Sequence, residues 1–79
     1  MSLGEKLKLI RTRERFTQVE ISNITGIKVE TWKAYEYGRS KTVASSELLK
    51  VTQHPLLTKY TMWLMTGQTI PEAGQISPV

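Results

Sequence analysis

The sequence contains no cysteine among its 79 residues, so neither a disulfide framework nor a thiolate zinc site can stabilise the fold. It has no apolar run close to the roughly 20 residues that a membrane span requires. Its first residues lack the apolar core of a signal peptide, and we therefore expect a cytoplasmic protein without a membrane partner. A chain of this length is expected to form one domain, stabilised by helix packing with or without a second subunit.

Residue combinations that perform catalysis are also missing. There is no Ser-His-Asp set, no paired acid cluster and no glycine-rich phosphate loop. His54 is the only histidine and has no acidic or cysteine partner at ligand spacing, so we interpret it as an N-cap or surface residue. The sequence predicts a protein that is not an enzyme and that uses no metal, cofactor or small-molecule substrate.

Positive charge is in excess and is unevenly distributed. The formal net charge is +4 and the isoelectric point is about 9.6. Most of the basic residues lie in the first half of the chain: Lys6, Lys8, Arg11, Arg13, Arg15, Lys28, Lys33, Arg39 and Lys41. A basic half beside a nearly neutral half indicates a nucleic-acid face and a separate packing or oligomerisation face. The alternative is a merely solubilising surface, because net charge alone is weak evidence about partners.

Apolar periodicity and capping signals predict five short helices and no strand. The predicted ranges are 3–14, 18–25, 29–37, 46–53 and 55–66. Ser2 with Glu5, and Thr17 with Glu20, have the spacing of capping boxes at the first two helix starts. Three glycines supply the left-handed residue that ends a helix tightly: Gly26, Gly38 and Gly67. Residues 1–67 are therefore predicted to form the domain, and residues 68–79 a flexible C-terminal tail.

The same periodicity predicts the core. The expected inward-facing residues are Leu3, Leu7, Ile10, Ile21, Ile24, Trp32, Tyr35, Leu56, Tyr60, Trp63 and Leu64, and the fourth helix has Leu48, Leu49 and Val51 as its apolar positions. Phe16 is expected to pack on Ile21 as a hydrophobic staple, and Val19 to be partly buried. The helical spacing of the aromatic residues favours a core position over a platform on which bases stack.

The second and third predicted helices have the spacing of a helix-turn-helix, because a glycine turn joins them within about twenty residues. A short turn holds two such helices near a right angle, so that the second protrudes enough to enter the major groove of DNA. The first then crosses the DNA backbone and directs its N-terminal amides at a phosphate. The spacing therefore indicates double-stranded DNA as the partner.

Several segments resemble the XRE-type, lambda-repressor-like DNA-binding domains of phage repressors. They are 16–21 (FTQVEI), 25–27 (TGI) and 31–39 (TWKAYEYGR), with further similarity at 7–11 (LKLIR) and 63–67 (WLMTG). The resemblance covers residues 3–67 and implies an all-α, compact bundle of five short helices with a central helix-turn-helix. It also implies a transcriptional regulator, a repressor of phage or prophage type, that binds a palindromic operator as a homodimer. The stretch 52–58 is longer than in that family.

The resemblance also implies which residues contact DNA. The base-contacting positions are Val29, Glu30, Lys33 and Ala34, and the phosphate-contacting positions are Gln18, Lys28, Arg39, Ser40 and Lys41. Arg11 and Glu36 match a structural ion pair that ties the first helix to the end of the third.

The chemistry of the base-contacting residues is suitable. Val29 and Ala34 can touch a thymine methyl group, Glu30 can accept from a cytosine amino group, and Lys33 can donate to guanine or to a phosphate. For each of them the alternative is a solvated helix face, and Glu30 has the further alternative of an ion pair with Lys33. Lys28 stands where this family usually has a Ser or Thr cap. The helix therefore lacks a capping hydrogen bond, but the lysine side chain can contact a phosphate.

Two other functions fit the same fold. One is the antitoxin of a toxin–antitoxin pair, for which only residues 68–79 are available to mask a toxin. The other is a protein-interaction module that no longer binds DNA, which the basic first half argues against.

Overall fold

The computed structural model describes all residues from Met1 to Val79. Its five α-helices are α1 (Leu3–Arg13), α2 (Gln18–Thr25), α3 (Val29–Glu36), α4 (Ser45–Thr52) and α5 (Thr61–Thr66), with 3₁₀ turns at Thr58–Tyr60 and Pro71–Ala73. It has no strand, only an isolated bridge between Ile70 and Gln75. The prediction of a small all-α bundle of five helices is thus confirmed. None of the helices has the length and apolar character needed to cross a membrane.

The helices α1 and α2 begin where the sequence predicts because both capping boxes form. The Ser2 hydroxyl accepts from the Glu5 amide at 3.2 Å, and the Glu5 carboxylate accepts from the Ser2 amide at 3.1 Å. Thr17 and Glu20 make the same reciprocal pair at 3.0 and 2.8 Å. Each box satisfies two backbone amides that have no partner inside the helix.

One buried cluster holds the bundle together. Its members are Leu7, Ile10, Ile21, Ile27, Trp32, Tyr35, Val51, Leu57, Tyr60, Trp63 and Leu64. All four predicted core aromatics are among them, and Phe16 packs against the cluster as a partly buried residue. The prediction for Val19 is wrong, because 57% of this side chain is exposed. The first turn of α2 turns Val19 outward while Ile21 and Thr25 face the core.

The prediction that the fifth helix begins at Pro55 is also wrong. The His54 carbonyl accepts from the Leu57 and Thr58 amides at 2.9 Å each, and the His54 Nδ1 accepts from the Leu56 amide at 3.1 Å. These bonds close a turn, and α5 begins only at Thr61 after the 3₁₀ turn. The turn changes which residues of this segment face the core. Leu57 is buried, whereas Leu56, which was predicted to face the core, is about half exposed.

The residues after Gly67 follow a defined course against α5. Gln75 pairs with Ile70, and its side chain accepts from the Met62 amide at 2.9 Å and donates to the Thr58 carbonyl at 3.1 Å. The Ile76 amide donates to the Lys59 carbonyl at 2.9 Å. The sequence predicted a flexible tail here and gave no sign of these bonds, because most of their partners lie far away in the sequence.

Lys6 has a structural role, although it is one of the basic residues whose distribution was interpreted as a nucleic-acid face. Its ammonium donates to the carbonyls of Trp63 and Leu64 at 3.2 Å each and lies 5.4 Å from the centre of the Trp63 ring. The Trp63 carbonyl also accepts from the Gly67 amide at 2.8 Å, so Lys6 adds a second bond there, and a cation at the C-terminal end of a helix interacts favourably with the helix dipole. Lys6 thereby connects α1 to the end of α5.

Helix α1 crosses α3 at Gly4. A Cβ atom at this position would lie 1.9 Å from the carbonyl oxygen of Tyr35 and 2.8 Å from its carbonyl carbon. Only a residue without a side chain allows the two backbones to come this close. The position of α3 against the bundle therefore depends on this contact.

Candidate nucleic-acid interface

Helix α3 has one face in the core and one face directed away from it. Trp32 and Tyr35 are buried, and Glu30 lies on the opposite side with 78% of its side chain exposed. Among the other predicted base-contacting residues, Val29, Lys33 and Ala34 are half-buried. The structure thus places all four on the first two turns of one helix.

An ion pair connects two of these residues. The Lys33 ammonium lies 3.8 Å from the Glu30 carboxylate, which is the alternative pairing that their spacing allows. Exposed pairs of this kind contribute at most about 1 kcal/mol. Both side chains can therefore exchange this contact for another polar partner at little cost.

The turn between α2 and α3 is held by side chains that the sequence analysis did not single out. The Thr25 hydroxyl is buried, donates to the Ile21 carbonyl at 2.7 Å and accepts from the Ile27 amide at 3.2 Å. The Ser22 hydroxyl donates to the Ile27 carbonyl at 2.6 Å. Gly26 provides the left-handed residue, with φ of +78°. These bonds fix the direction in which α3 leaves the turn.

Lys28 stands at the N-cap of α3 and makes no capping hydrogen bond. Its side chain is exposed, and no carboxylate pairs with it. Because lysine has no acceptor, the amides of the first turn of α3 lack the cap that Ser or Thr would supply. The structure therefore leaves the amino end of α3 positive and open to an anion.

The loop after α3 carries three of the predicted phosphate-contacting residues. Arg39 and Lys41 are exposed, whereas Ser40 is half-buried and used internally. The Ser40 amide donates to the Ala34 carbonyl and its hydroxyl to the Thr42 carbonyl, both at 3.1 Å. Ser40 thus anchors the loop, and the two cations on either side of it point outward.

Glu36 is the centre of the polar network that joins α1, α2 and α3. The Arg11 guanidinium donates to it twice, at 2.6 and 3.0 Å, and also donates to the Phe16 carbonyl at 2.9 Å. The Gln18 amide donates to it at 3.1 Å, and the Trp32 indole also donates to it. Only 1% of the Glu36 side chain is exposed. The two residues predicted to pair thus lie together in a bidentate, nearly buried ion pair.

The charge state of Glu36 follows from this environment. Burial raises the pKa of its carboxyl group, but the hydrogen bonds from Arg11, Trp32 and Gln18 lower that pKa by more. The net pKa therefore lies below the ordinary value, and Glu36 is ionised at neutral pH. The same pairing raises the pKa of the Arg11 guanidinium, so the pair stays charged.

Gln18, a predicted phosphate contact, has its side chain occupied within the protein. Besides Glu36, its amide nitrogen lies 3.3 Å from the hydroxyl oxygen of Tyr37. Tyr37 was not among the residues predicted to contact DNA, although 60% of this residue is exposed. Its position four residues after Lys33 places it on the same side of α3, and this spacing is the signal that could have identified it.

The unpaired cations are confined to one part of the chain. Arg11, Lys33, Lys50 and Lys59 form ion pairs, and Lys6 binds carbonyls. The exposed basic residues that have no carboxylate partner are Lys8, Arg13, Arg15, Lys28, Arg39 and Lys41. They belong to α1, to the turns on either side of α2 and to the loop after α3. No group of histidine and acidic side chains is arranged to hold a metal.

The chain is similar to Repressor protein C of Escherichia phage P2, a curated protein with which it shares 39% identity over 77 residues. The matched region covers 98% of this chain and 77% of the relative. No protein-family model matches the chain. Because the match omits at most two terminal residues, it includes all the side chains that build the candidate interface.

Proposed function

This chain belongs to the family of Repressor protein C of Escherichia phage P2, and from that premise we propose that it is a repressor whose helix α3 binds operator DNA. The observation that carries the proposal is the distribution of unpaired cations, all of which lie around α1, α2 and the two ends of α3. Cations without internal partners are available to phosphates, which supply most of the affinity for DNA. The helices α4 and α5 contribute none.

The outward face of α3 has the chemistry to distinguish bases. Ala34 offers an apolar contact for a thymine methyl group, and Val29 offers the same at the start of the helix. Lys33 and Glu30 provide a donor for guanine and an acceptor for the amino group of cytosine. Their weak mutual ion pair at 3.8 Å is given up when both find partners on the bases.

Phosphate contacts hold this helix in place on the duplex. Lys28 at the amino end of α3, and Arg39 and Lys41 after its carboxyl end, are exposed and unpaired. They therefore flank the base-contacting residues on both sides. Such contacts position a protein on DNA without reading its sequence.

Substitutions should separate these two roles. We expect Lys33→Ala and Glu30→Ala to change the preferred sequence, each altering discrimination at its own position by about 1–3 kcal/mol. Lys41→Ala should weaken binding to every duplex about equally and reduce the salt dependence by about one phosphate contact. Competition binding against a panel of singly substituted duplexes measures both effects. A change of preference with Lys41→Ala, together with none for Glu30→Ala, would contradict the assigned roles.

Two copies of the chain are proposed to bind one palindromic operator, with half-sites about 34 Å apart. One module of this size makes too few contacts for tight and specific binding. A groove between α4 and α5 is suited to a second copy because no charged residue lines it. Its lining consists of Ser45, Leu48, Leu49, Thr52, Thr61 and Met65. The same patch on both subunits would meet across a two-fold axis.

Met65→Glu tests this interface, since Met65 is 56% exposed and its loss should not disturb the core. We expect the dimer dissociation constant to rise by more than about tenfold, because two added carboxylates would face each other without partners. Sedimentation velocity at several concentrations gives this constant. Leu56→Glu is the matched control, since Leu56 is similarly exposed but lies outside the groove. Equal constants for the two variants would place the dimer contact elsewhere.

A further inference from the structure

Three residues, Gly26 to Lys28, separate α2 from α3, and side chains of α2 hold the middle one in place. The side chain of this residue, Ile27, is buried in the core. Its amide donates to the Thr25 hydroxyl at 3.2 Å, and its carbonyl accepts from the Ser22 hydroxyl at 2.6 Å. Neither backbone group of Ile27 has a backbone partner. We call these two hydroxyl contacts the turn clamp.

The start of α3 depends on the turn clamp because this helix has no cap of its own. Lys28 stands at the N-cap position and makes no side-chain capping bond. The carbonyl of Ile27 belongs to the same planar peptide unit as the amide of Lys28, so holding Ile27 also orients the peptide from which α3 begins. The turn clamp therefore constrains α3 at its amino end, which carries Val29 and Glu30.

The end of α5 has a turn of the same geometry. The Thr66 hydroxyl donates to the Met62 carbonyl at 2.7 Å and accepts from the Gln68 amide at 3.1 Å. Thr25 makes the corresponding two contacts at 2.7 and 3.2 Å. In both turns the next residue is a glycine in the left-handed region, with φ of +77° and +78°. The two differ in position, because Thr25 is buried ahead of α3, whereas Thr66 is exposed at the end of α5.

From this arrangement we infer that Ser22 and Thr25 are positioning residues for base discrimination by α3. The inference rests on the proposed function and adds to it two residues that act through the placement of a helix and not through contact with DNA. Hydrogen bonds to base edges are directional and require the donor and acceptor to be placed within about 0.5 Å. The attraction between a cation and a phosphate changes little over such a displacement. A small rotation of α3 should therefore weaken base contacts more than phosphate contacts.

Thr25→Val tests the inference because valine has nearly the shape of threonine and no hydroxyl, so the buried Ile27 amide loses its acceptor. We expect the ratio of the affinities for the operator and for a scrambled duplex to fall about tenfold, the equivalent of one base contact. The affinity for the scrambled duplex should stay unchanged. Ser22→Ala should lower the same ratio by a smaller factor, because Ile27 then keeps its bond to Thr25. Thr25→Ser retains a hydroxyl and should restore most of the ratio.

The matched control is Thr66→Val, which removes the corresponding pair of bonds at the end of α5 and should leave the ratio unchanged. The operator duplex is the one that the unaltered chain enriches from a random pool. Fluorescence anisotropy measures both affinities, at a temperature where circular dichroism shows each variant to be folded. A merely structural role of Thr25 would lower both affinities by the same factor, because only the folded fraction would change.

Two results would overturn the inference and leave the repressor function intact. One is an unchanged ratio in both Thr25→Val and Ser22→Ala, and the other is an equal fall of the ratio in Thr25→Val and Thr66→Val. If Thr25→Val does not fold, the ratio in Ser22→Ala decides the question alone. If the unaltered chain preferred no duplex over the scrambled one, the proposed function would fail and the inference with it.

Discussion

Replacing Glu36 with alanine is expected to lower the free energy of unfolding by about 3–5 kcal/mol, the range for breaking one partner of a buried ion pair. The loss is large because the Arg11 side chain, which is only 15% exposed, would be left without its carboxylate partner. The Trp32 indole and the Gln18 amide would lose their acceptor at the same time. A small domain has a total stability of only about 5–15 kcal/mol, so this loss is a large fraction of it.

Urea unfolding at neutral pH measures this effect, and Glu30→Ala on the same helix is the control. Glu30 is exposed and makes only a weak ion pair, so its replacement should change stability by less than about 0.5 kcal/mol. The double variant Arg11→Met with Glu36→Met should be more stable than Glu36→Ala, because no charge is left unpaired. Equal losses for Glu36→Ala and Glu30→Ala would show that the network does not hold the three helices together.

The same network makes stability depend on acid. Because the pKa of Glu36 is lower in the folded than in the unfolded chain, its contribution is complete above the unfolded value of about 4.3 and is lost as the pH falls through the lowered value. Burial raises the pKa of Glu14, but hydrogen bonds from Tyr60 and Lys59 lower it by more, so Glu14 adds a loss in the same direction. Glu36→Gln should therefore reduce the acid-dependent loss and leave the part due to Glu14.

Replacing Gly4 with alanine is expected to destabilise the fold by about 3 kcal/mol, at the upper end of overpacking costs. At an ordinary helix position the same substitution would stabilise by up to about 1 kcal/mol. Here the new Cβ atom would lie 1.9 Å from the Tyr35 carbonyl oxygen. Since that neighbour is backbone, no side-chain rotation relieves the clash, and α1 must move away from α3.

Two measurements distinguish this effect from a general loss of helix. The control Ser46→Ala, at an exposed position of α4, should change the unfolding free energy by less than about 0.5 kcal/mol. Because α3 is displaced, Gly4→Ala should also weaken DNA binding at temperatures where the variant is still folded. A Gly4→Ala variant as stable as the unaltered chain would mean that the two helices are not in this close contact.

Local signals account for much of the fold. The capping boxes predicted the starts of α1 and α2, and Gly26 predicted the end of α2, because these signals act between residues that are close in sequence. The exposure of Val19 was mispredicted because an eight-residue helix contains too few apolar positions to define its inward face. The start of α5 was mispredicted because the turn after His54 depends on backbone bonds that proline spacing does not reveal.

The candidate site was predictable to a similar extent. The resemblance to phage repressors named the residues on α3 and the Arg11–Glu36 partners. It did not indicate that Gln18 is occupied by Glu36, or that Tyr37 is exposed beside it. The structural role of Lys6 was not predicted because its acceptors, the carbonyls of Trp63 and Leu64, are more than fifty positions away. Contacts of this kind arise only when the helices pack.

The measurement that tests the central claim most directly is a selection from random duplex DNA, repeated at two salt concentrations. A dimeric operator-binding repressor should enrich a palindrome whose half-sites lie about one helical turn apart. Its affinity should fall steeply between the two salt concentrations, because phosphate contacts release counterions. Salt-sensitive binding without an enriched motif would contradict the claim of sequence-specific recognition, and an absence of binding at either concentration would contradict the assignment of DNA as the partner.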